Sequence, residues 1–387
     1  MRTTVRTAAV GVIGTLALTL TACSSADTEG AAPSSTKAAE LTFDESGRPV
    51  LDDSFSKAVQ AANGVTVDTS AFKAEPPYNV ATITQGPVNG WATTFDLVMK
   101  DSLAKSGKVG DVMYVPWDGV TENQVKGMED AIAADVDAIV LLSMSRAGLV
   151  SSIERAAAAG IPVITCMGGA ETDAYTAEVN ADIPLQGFQT ADEISKKLDG
   201  KGQVVMLNGT AGVDSAEFWR SGANAAFSQY PEIEIVTEQY ADWSAAKAMD
   251  VMRTVVAQYP DVDAVWVGGL EMGPSVIQAY KEGGAELPLV GGTNPTNGFL
   301  RLAIENDLDF YVAPFTPAAP QECVNTMLKV LDGQPVPKFT NVADVLEGAA
   351  PYGKDEASTW FEAAFNDDFN GPKVLDDKAY LDAGFGK

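Results

Sequence analysis

The stretch DAIVLLSMSRAGLVSSIERAAAAGIPVITCM, Asp137–Met167, holds the fold in miniature. DAIVLL is apolar without alternation, which suits a strand covered on both faces, the condition of a parallel sheet. RAGLVSSIERAAAAG has the spaced apolar residues of an amphipathic helix, and Gly160-Ile161-Pro162 hands that helix over to a second apolar run, VITCM. Working outward, the same strand–helix rhythm starts at Asn79 with NVATIT, WATTFDLVMKDSLAKSG, DVMYVPW and TENQVKGMEDAIAAD. Beyond TAEVNAD and PLQGFQTADEISKKLDG it restarts with GQVVMLNG and SAEFWRSGANAAFSQYP and continues to FYVAPF. The spacing is that of βα units, and the length is generous for one sheet, so the expected architecture is α/β with two successive doubly wound lobes. Residues 41–75 and 341–387 lie outside the rhythm and are expected to be peripheral: an N-terminal segment and a C-terminal wrapping tail.

The start of the chain predicts its location. Arg2 and Arg6 precede an uncharged run from Ala8 to Ala22, too short to span a bilayer and of the form of a signal peptide, residues 1–22. Residues 23–40, rich in Ser, Ala and Gly, have little to bury and read as a flexible tether. Composition narrows the chemistry. Among 387 residues, 26 Lys and Arg face 53 Asp and Glu, a formal charge of −27 that argues against nucleic acid as a partner. The absence of His excludes a Ser-His-Asp triad, a Cys-His nucleophile and His-ligated zinc. Beyond Cys23 only Cys166 and Cys323 remain, too few for a structural zinc site, and they either bridge or stand as two buried thiols. No metal and no cofactor is expected.

In open α/β sheets, ligands bind beyond the carboxyl ends of the strands. Asn89 and Trp91 follow the first strand of the first lobe. An indole face and a carboxamide suit a compact ligand with both C–H and O–H surfaces, although a Trp at the start of a helix can equally pack inward. Trp117 and Asp118 follow the second strand, where Asp118-Gly119 also reads as a plain turn. Ser143 follows the third strand, with solvent or a ligand hydroxyl as its partner.

These pieces together resemble the ribose-type, class I periplasmic solute-binding proteins of sugar ABC importers. The resemblance rests on the order of the Asn-x-Trp after the first strand, GIPVIT, EVNAD, VVMLNGTAGVDSAEFWRSG, YADW, PDVDAVWVGG and LPLVGGTNPTNG, from about Asn79 to Val342. Leu20-Thr21-Ala22-Cys23 resembles the lipobox of bacterial lipoproteins, which implies a lipid on Cys23 and an extracytoplasmic protein anchored to the cell membrane. The family's chain crosses three times between lobes, which implies a first lobe of residues 76–182 and 316–340, a second of 183–315, and a three-strand hinge near Asp182, Phe310–Phe315 and Phe339–Ala343. It also puts both Cys166 and Cys323 in the first lobe.

Carried over residue by residue, the resemblance implies ligand contacts from Asn89, Trp91, Arg220 and Trp243. Where the family has Asp-Arg after the fourth strand this chain has Cys166-Met167, so a bidentate grip on neighbouring hydroxyls is missing and Met167 takes its place. Glu271 and Asn294 stand near two further family positions, so a less anionic, more apolar pocket than a ribose site is expected. Asn180 and Asp182 fall at the first crossover, where a side chain either touches ligand or caps the next helix; Asn180 is expected at the ligand, and Asp182, directly before Ile183-Pro184, is read as the cap. Arg220 could hold hydroxyls or, in a sugar acid, a carboxylate. A monomeric substrate-binding protein delivering a sugar or sugar-like solute to an ABC permease is the function implied. The alternatives are a sensor presenting its closed form to a membrane receptor and a binder of a less polar metabolite. An enzyme would have to work with carboxylates such as Glu271 or Asp214, and no spaced pair of acids singles itself out.

Overall fold

The computed structural model describes residues 41–43, 48–117, 120–347 and 351–387. Cys23, the signal segment, the tether and Asp118 lie outside them. Helix α1 (Ser54–Ala62) and the short β1 (Thr66–Val67) precede the repeats. The first lobe then runs β2 (Tyr78–Gln85), α2 (Gly90–Ser106), β3 (Val109–Trp117), α3 (Thr121–Ala133), β4 (Ala138–Leu141), α4 (Val150–Ala158), β5 (Val163–Cys166) and β6 (Ala177–Asn180). The second runs α5 (Ile183–Lys197), β7 (Lys201–Asn208), α6 (Asp214–Phe227), β8 (Glu232–Tyr240), α7 (Ala245–Gln258), β9 (Ala264–Val267), α8 (Gly273–Gly283), β10 (Leu289–Thr293), α9 (Asn297–Glu305) and β11 (Phe310–Ala313). The chain returns through α10 (Pro320–Leu331), β12 (Val336–Pro337) and β13 (Phe339–Asn341), then adds β14 (Tyr352–Gly353) and the short helices α11 (Lys354–Ala357) and α12 (Asp377–Tyr380).

Two six-stranded sheets result, ordered β13-β6-β5-β4-β2-β3 and β14-β11-β10-β9-β7-β8. Every pairing is parallel except β14 against β11. The central strands are apolar throughout because helices cover both faces: Ala138, Ile139, Val140 and Leu141 of β4 are all buried, as are Ala264–Val267 of β9. The larger of these side chains, such as Ile139, Leu141 and Val265, each contribute about 1.5–3 kcal/mol on burial. The sheets exchange chain at three places, after β6, after β11 and after β13, so the fold is the two-lobed α/β architecture with a three-strand connection.

Two close contacts fix how the lobes are built. Helices α5 and α6 approach so nearly that a Cβ on Gly222 would lie 1.9 Å from the Pro184 carbonyl oxygen. Across the first lobe, Cys166 at the end of β5 is bonded to Cys323 of α10, with Cα atoms 5.8 Å apart and 157 positions between them in sequence. Of the two alternatives left by the sequence, the structure takes the bridge. Closing a loop that long restricts the unfolded chain by about 5 kcal/mol in the chain-entropy picture.

The terminal segments are structured, and both touch both lobes. Phe55 of α1 is buried, with its ring 5.3 Å from Phe218 of α6 in the second lobe and 6.4 Å from Phe339 of β13 in the first. Arg48 pairs with Asp182 at the first crossing, and β1 pairs with β12. At the other end, Phe365, Phe369, Tyr380 and Phe385 form a small core of their own that packs on Leu97 of α2. The tail also caps α9: the Asn297 side chain donates to the carbonyls of Glu362, Phe365 and Asn366 and accepts from the Glu362 N–H. On the first-lobe side the Asp368 carbonyl oxygen would lie 1.9 Å from a Cβ at Gly90, so the first position of α2 must be glycine.

Candidate functional site

A cavity of about 120 Å³ opens between the lobes at the carboxyl ends of the strands. From the first lobe it is bordered by Gln85, Asn89, Trp91, Ser143, Met144 and Met167, and from the second by Asp214, Phe218, Trp219, Trp243, Glu271 and Asn294, with Phe315 at a crossing. Its walls concentrate backbone that side chains disfavour. Seven non-glycine residues among those described have positive φ, and the two that are neither Asp nor Asn are Met167 (φ 62°) and Trp243 (φ 52°), both at the cavity. Asn294 (φ 54°) is a third such residue in the wall. Such conformations cost about 1–3 kcal/mol each and gather where a side chain must be aimed.

Hydrogen bonding divides the wall into held and available groups. All three indole N–H groups are engaged within the protein: Trp91 donates to the Phe315 carbonyl at 2.6 Å, Trp219 to Gln186 Oε1 at 3.0 Å, and Trp243 to the Gly268 carbonyl at 2.7 Å. These residues therefore offer rings rather than donors. Trp91 itself stacks on Phe95 and Phe315, at 5.1 and 5.4 Å between centroids, so the inward-packing and cavity-facing readings of it both hold. Asn89 borders the cavity and caps α2, its Oδ1 accepting from the Ala92 N–H at 2.8 Å, so the cap does not use its NH2. The Ser143 hydroxyl donates to the Gly169 carbonyl. Asn294 is held by the tail, accepting from Asn370 Nδ2 at 3.1 Å, and lies 3.4 Å from the Glu271 carboxylate. Glu271 borders the cavity and is otherwise ringed by protein; burial pushes its carboxyl up to about 7, with hydrogen bonds opposing. Asp214 reaches across to the other lobe, its Oδ2 accepting the Arg146 backbone N–H at 3.0 Å.

Residues 80–335 match the periplasmic binding protein domain family. The chain belongs to that family. Among curated relatives it is 27% identical to a xylitol-binding protein of Mycolicibacterium smegmatis over 49% of this chain and 55% of that one, and 26% identical to the ribose import binding protein of Bacillus subtilis over 51% and 65%. The alignments thus span little more than half to two thirds of those two relatives. The galactofuranose-binding protein of Escherichia coli is 27% identical over 66% of this chain and 80% of its own length. Among solved structures, a galactofuranose binding protein superposes with a TM-score of 0.64 at 24% identity, covering 74% of this chain and 97% of that one, a likeness of fold.

In this binding-protein fold, seven of the residues named from sequence line the one cavity: Asn89, Trp91, Ser143, Met167, Trp243, Glu271 and Asn294. Arg220 is not brought to it. On α6 the lining positions are Asp214, Ser215, Phe218 and Trp219, and the next residue is turned about 100° around the helix, toward the edge strand β8. There Arg220 pairs with Glu238 and, at 3.6 Å, with Glu217. Asn180 is fully buried behind the wall, donating to Glu178 Oε1 at 2.9 Å. Trp117 ends β3 in register with Gln85, and its side chain lies outside the described residues. Asp182 is the N-cap of α5, as read. Phe218, Trp219 and Phe315 escaped the sequence reading because aromatics at helical spacing or at a strand end carry no sign of which face they turn inward.

No cluster of His, Cys, Asp and Glu that could hold a metal occurs among the described residues, and none of their helices is long and apolar enough to cross a membrane.

Proposed function

We propose that this chain is the extracytoplasmic substrate-binding component of an ABC importer, lipid-anchored through Cys23, which captures a small sugar or sugar-like solute between its lobes and delivers it to a membrane permease. The observation that carries this reading is the aromatic-walled cavity shared by the two lobes in a member of the binding-protein family. Ring faces suit the C–H surfaces of a sugar, and the Asn89 and Gln85 amides suit its hydroxyls. The names of the relatives, binders of xylitol, ribose and galactofuranose, point the same way. With Arg220 engaged elsewhere, no Lys or Arg stands among the described lining residues, and a sugar acid would find no partner for its carboxylate. Thermal-shift screening of the purified protein against sugars, polyols and cyclitols tests the proposal: a specific solute raises Tm by mass action, and no shift with any member of the set would refute it.

A further inference from the structure

We infer that the solute carries a protonated amine, seated at the Glu271 carboxylate with Asp214 as the second acid of the same wall. This deepens the proposed function and rests on the cavity being the solute site. The first support is the charge of the lining, which among the described residues holds two carboxylates and no cationic side chain. The two arginines that neighbour lining residues in sequence are committed elsewhere. Arg146 is buried, donates to the Gly168 and Ala170 carbonyls and stands 3.7 Å from Glu178, while Arg220 pairs with Glu238.

A second support is the hydrogen-bond balance. The indole N–H groups and the Ser143 hydroxyl all donate within the protein, leaving the amide NH2 groups of Gln85, Asn89 and Asn294 and the Ser215 hydroxyl as the side-chain donors of the wall. Acceptors are in excess: Asp214 accepts the Arg146 N–H with one oxygen, and Glu271 has its own backbone N–H and a 3.4 Å contact to Asn294, the latter too long for a strong bond, with no cation beside it among the described lining residues. A ligand group that donates and is positively charged meets both needs, because a carboxylate removed from water must be paired or neutralised. That burial raises the Glu271 carboxyl is the same imbalance seen from the proton's side. Thirdly, Trp219, Trp243 and Phe218 border the same cavity, and aromatic faces attract ammonium groups. With the amides left for hydroxyls, the class of ligand is a small polyhydroxylated amine, an amino sugar or an aminocyclitol.

The test uses matched triples on the purified protein by thermal shift and calorimetry: D-glucose, D-glucosamine and N-acetyl-D-glucosamine, the galactose equivalents, and myo-inositol with an inosamine and its N-acetyl form. The expected result is that the amine of at least one triple binds roughly ten- to a hundredfold more tightly than its neutral partners, a margin that collapses in Glu271→Gln. Neutral members binding as tightly as the amine, or a margin that survives Glu271→Gln, would overturn the inference and leave the sugar-binding proposal standing. If no member of any triple binds, the inference falls, and the sugar-binding proposal is decided by the wider screen alone.

Discussion

The middle of the chain and its two ends serve the same cavity by different physics. Every described residue bordering the cavity lies between Gln85 and Phe315, within the repeats that match the family. There, apolar strands and amphipathic helices position the wall as a by-product of burying a core. The ends, residues 48–62 and 360–387, contribute nothing to the wall; they hold the pieces that carry it, through Phe55 lodged against both lobes and an aromatic knot resting on α2 while capping α9. A binding surface can thus be inherited with the fold, while its fastening is added from outside the repeats.

The comparison can be broken at several strengths. The most drastic test is at the extreme end: Cys23→Ala should move the protein wholly from the membrane fraction to the medium, and retention after washing would place the anchor elsewhere. Next, Phe369→Ala should cost about 3–5 kcal/mol in urea or thermal unfolding, since it empties the centre of the tail's core. A loss under 1 kcal/mol would mean that the tail fastens little.

In the middle, Glu271 sets a pH dependence. Its folded carboxyl titrates at about 7 against an ordinary 4.5, so the folded protein holds this proton more tightly than the unfolded chain does. The resulting stability is fully present below the unfolded value and is lost as pH rises through the folded one. Between pH 4.5 and 7 the solute-free protein should therefore lose on the order of 3 kcal/mol relative to Glu271→Gln. Burial also raises Glu178 and Asp182, but those groups are common to both proteins and cancel in the difference. Parallel stability curves for the two would remove the effect.

The smallest effects separate two residues that the sequence put in one class. Asn89→Ala should lower stability by about 1 kcal/mol through its cap and weaken solute binding roughly tenfold. Arg220→Ala removes a half-exposed ion pair worth less than about 1 kcal/mol and should leave affinity within about twofold, as titration calorimetry would show.

What the sequence discloses follows from how each part is stabilised. Strands such as β4 and β9 are legible because burial on both faces forces unbroken apolar runs. The strand ends are legible because a parallel sheet puts them on one edge, which is why seven named residues converge. Arg220 misleads because one helical step separates facing the cavity from facing β8, and α6 has polar residues on both sides. Trp91 and Trp243 are located by sequence, but the carbonyls that take their N–H groups come from distant loops. The tail is illegible for a related reason: besides its own small aromatic core, it is held by one asparagine, Asn297, reading three carbonyls more than 60 residues away.

The Cys166–Cys323 bond also defines what kind of object the second lobe is. All of residues 183–315 hang on a covalent ring closed within the first lobe, like a pendant on a clasped chain. A protease that cuts one peptide bond anywhere in that ring opens it without detaching a fragment: the molecule keeps its full mass, and both new ends stay moored to β5 and α10. For a protein proposed to work outside the cell, where thiols stay oxidised and proteases are met, one covalent bond makes a cut in the second lobe a local injury rather than a loss.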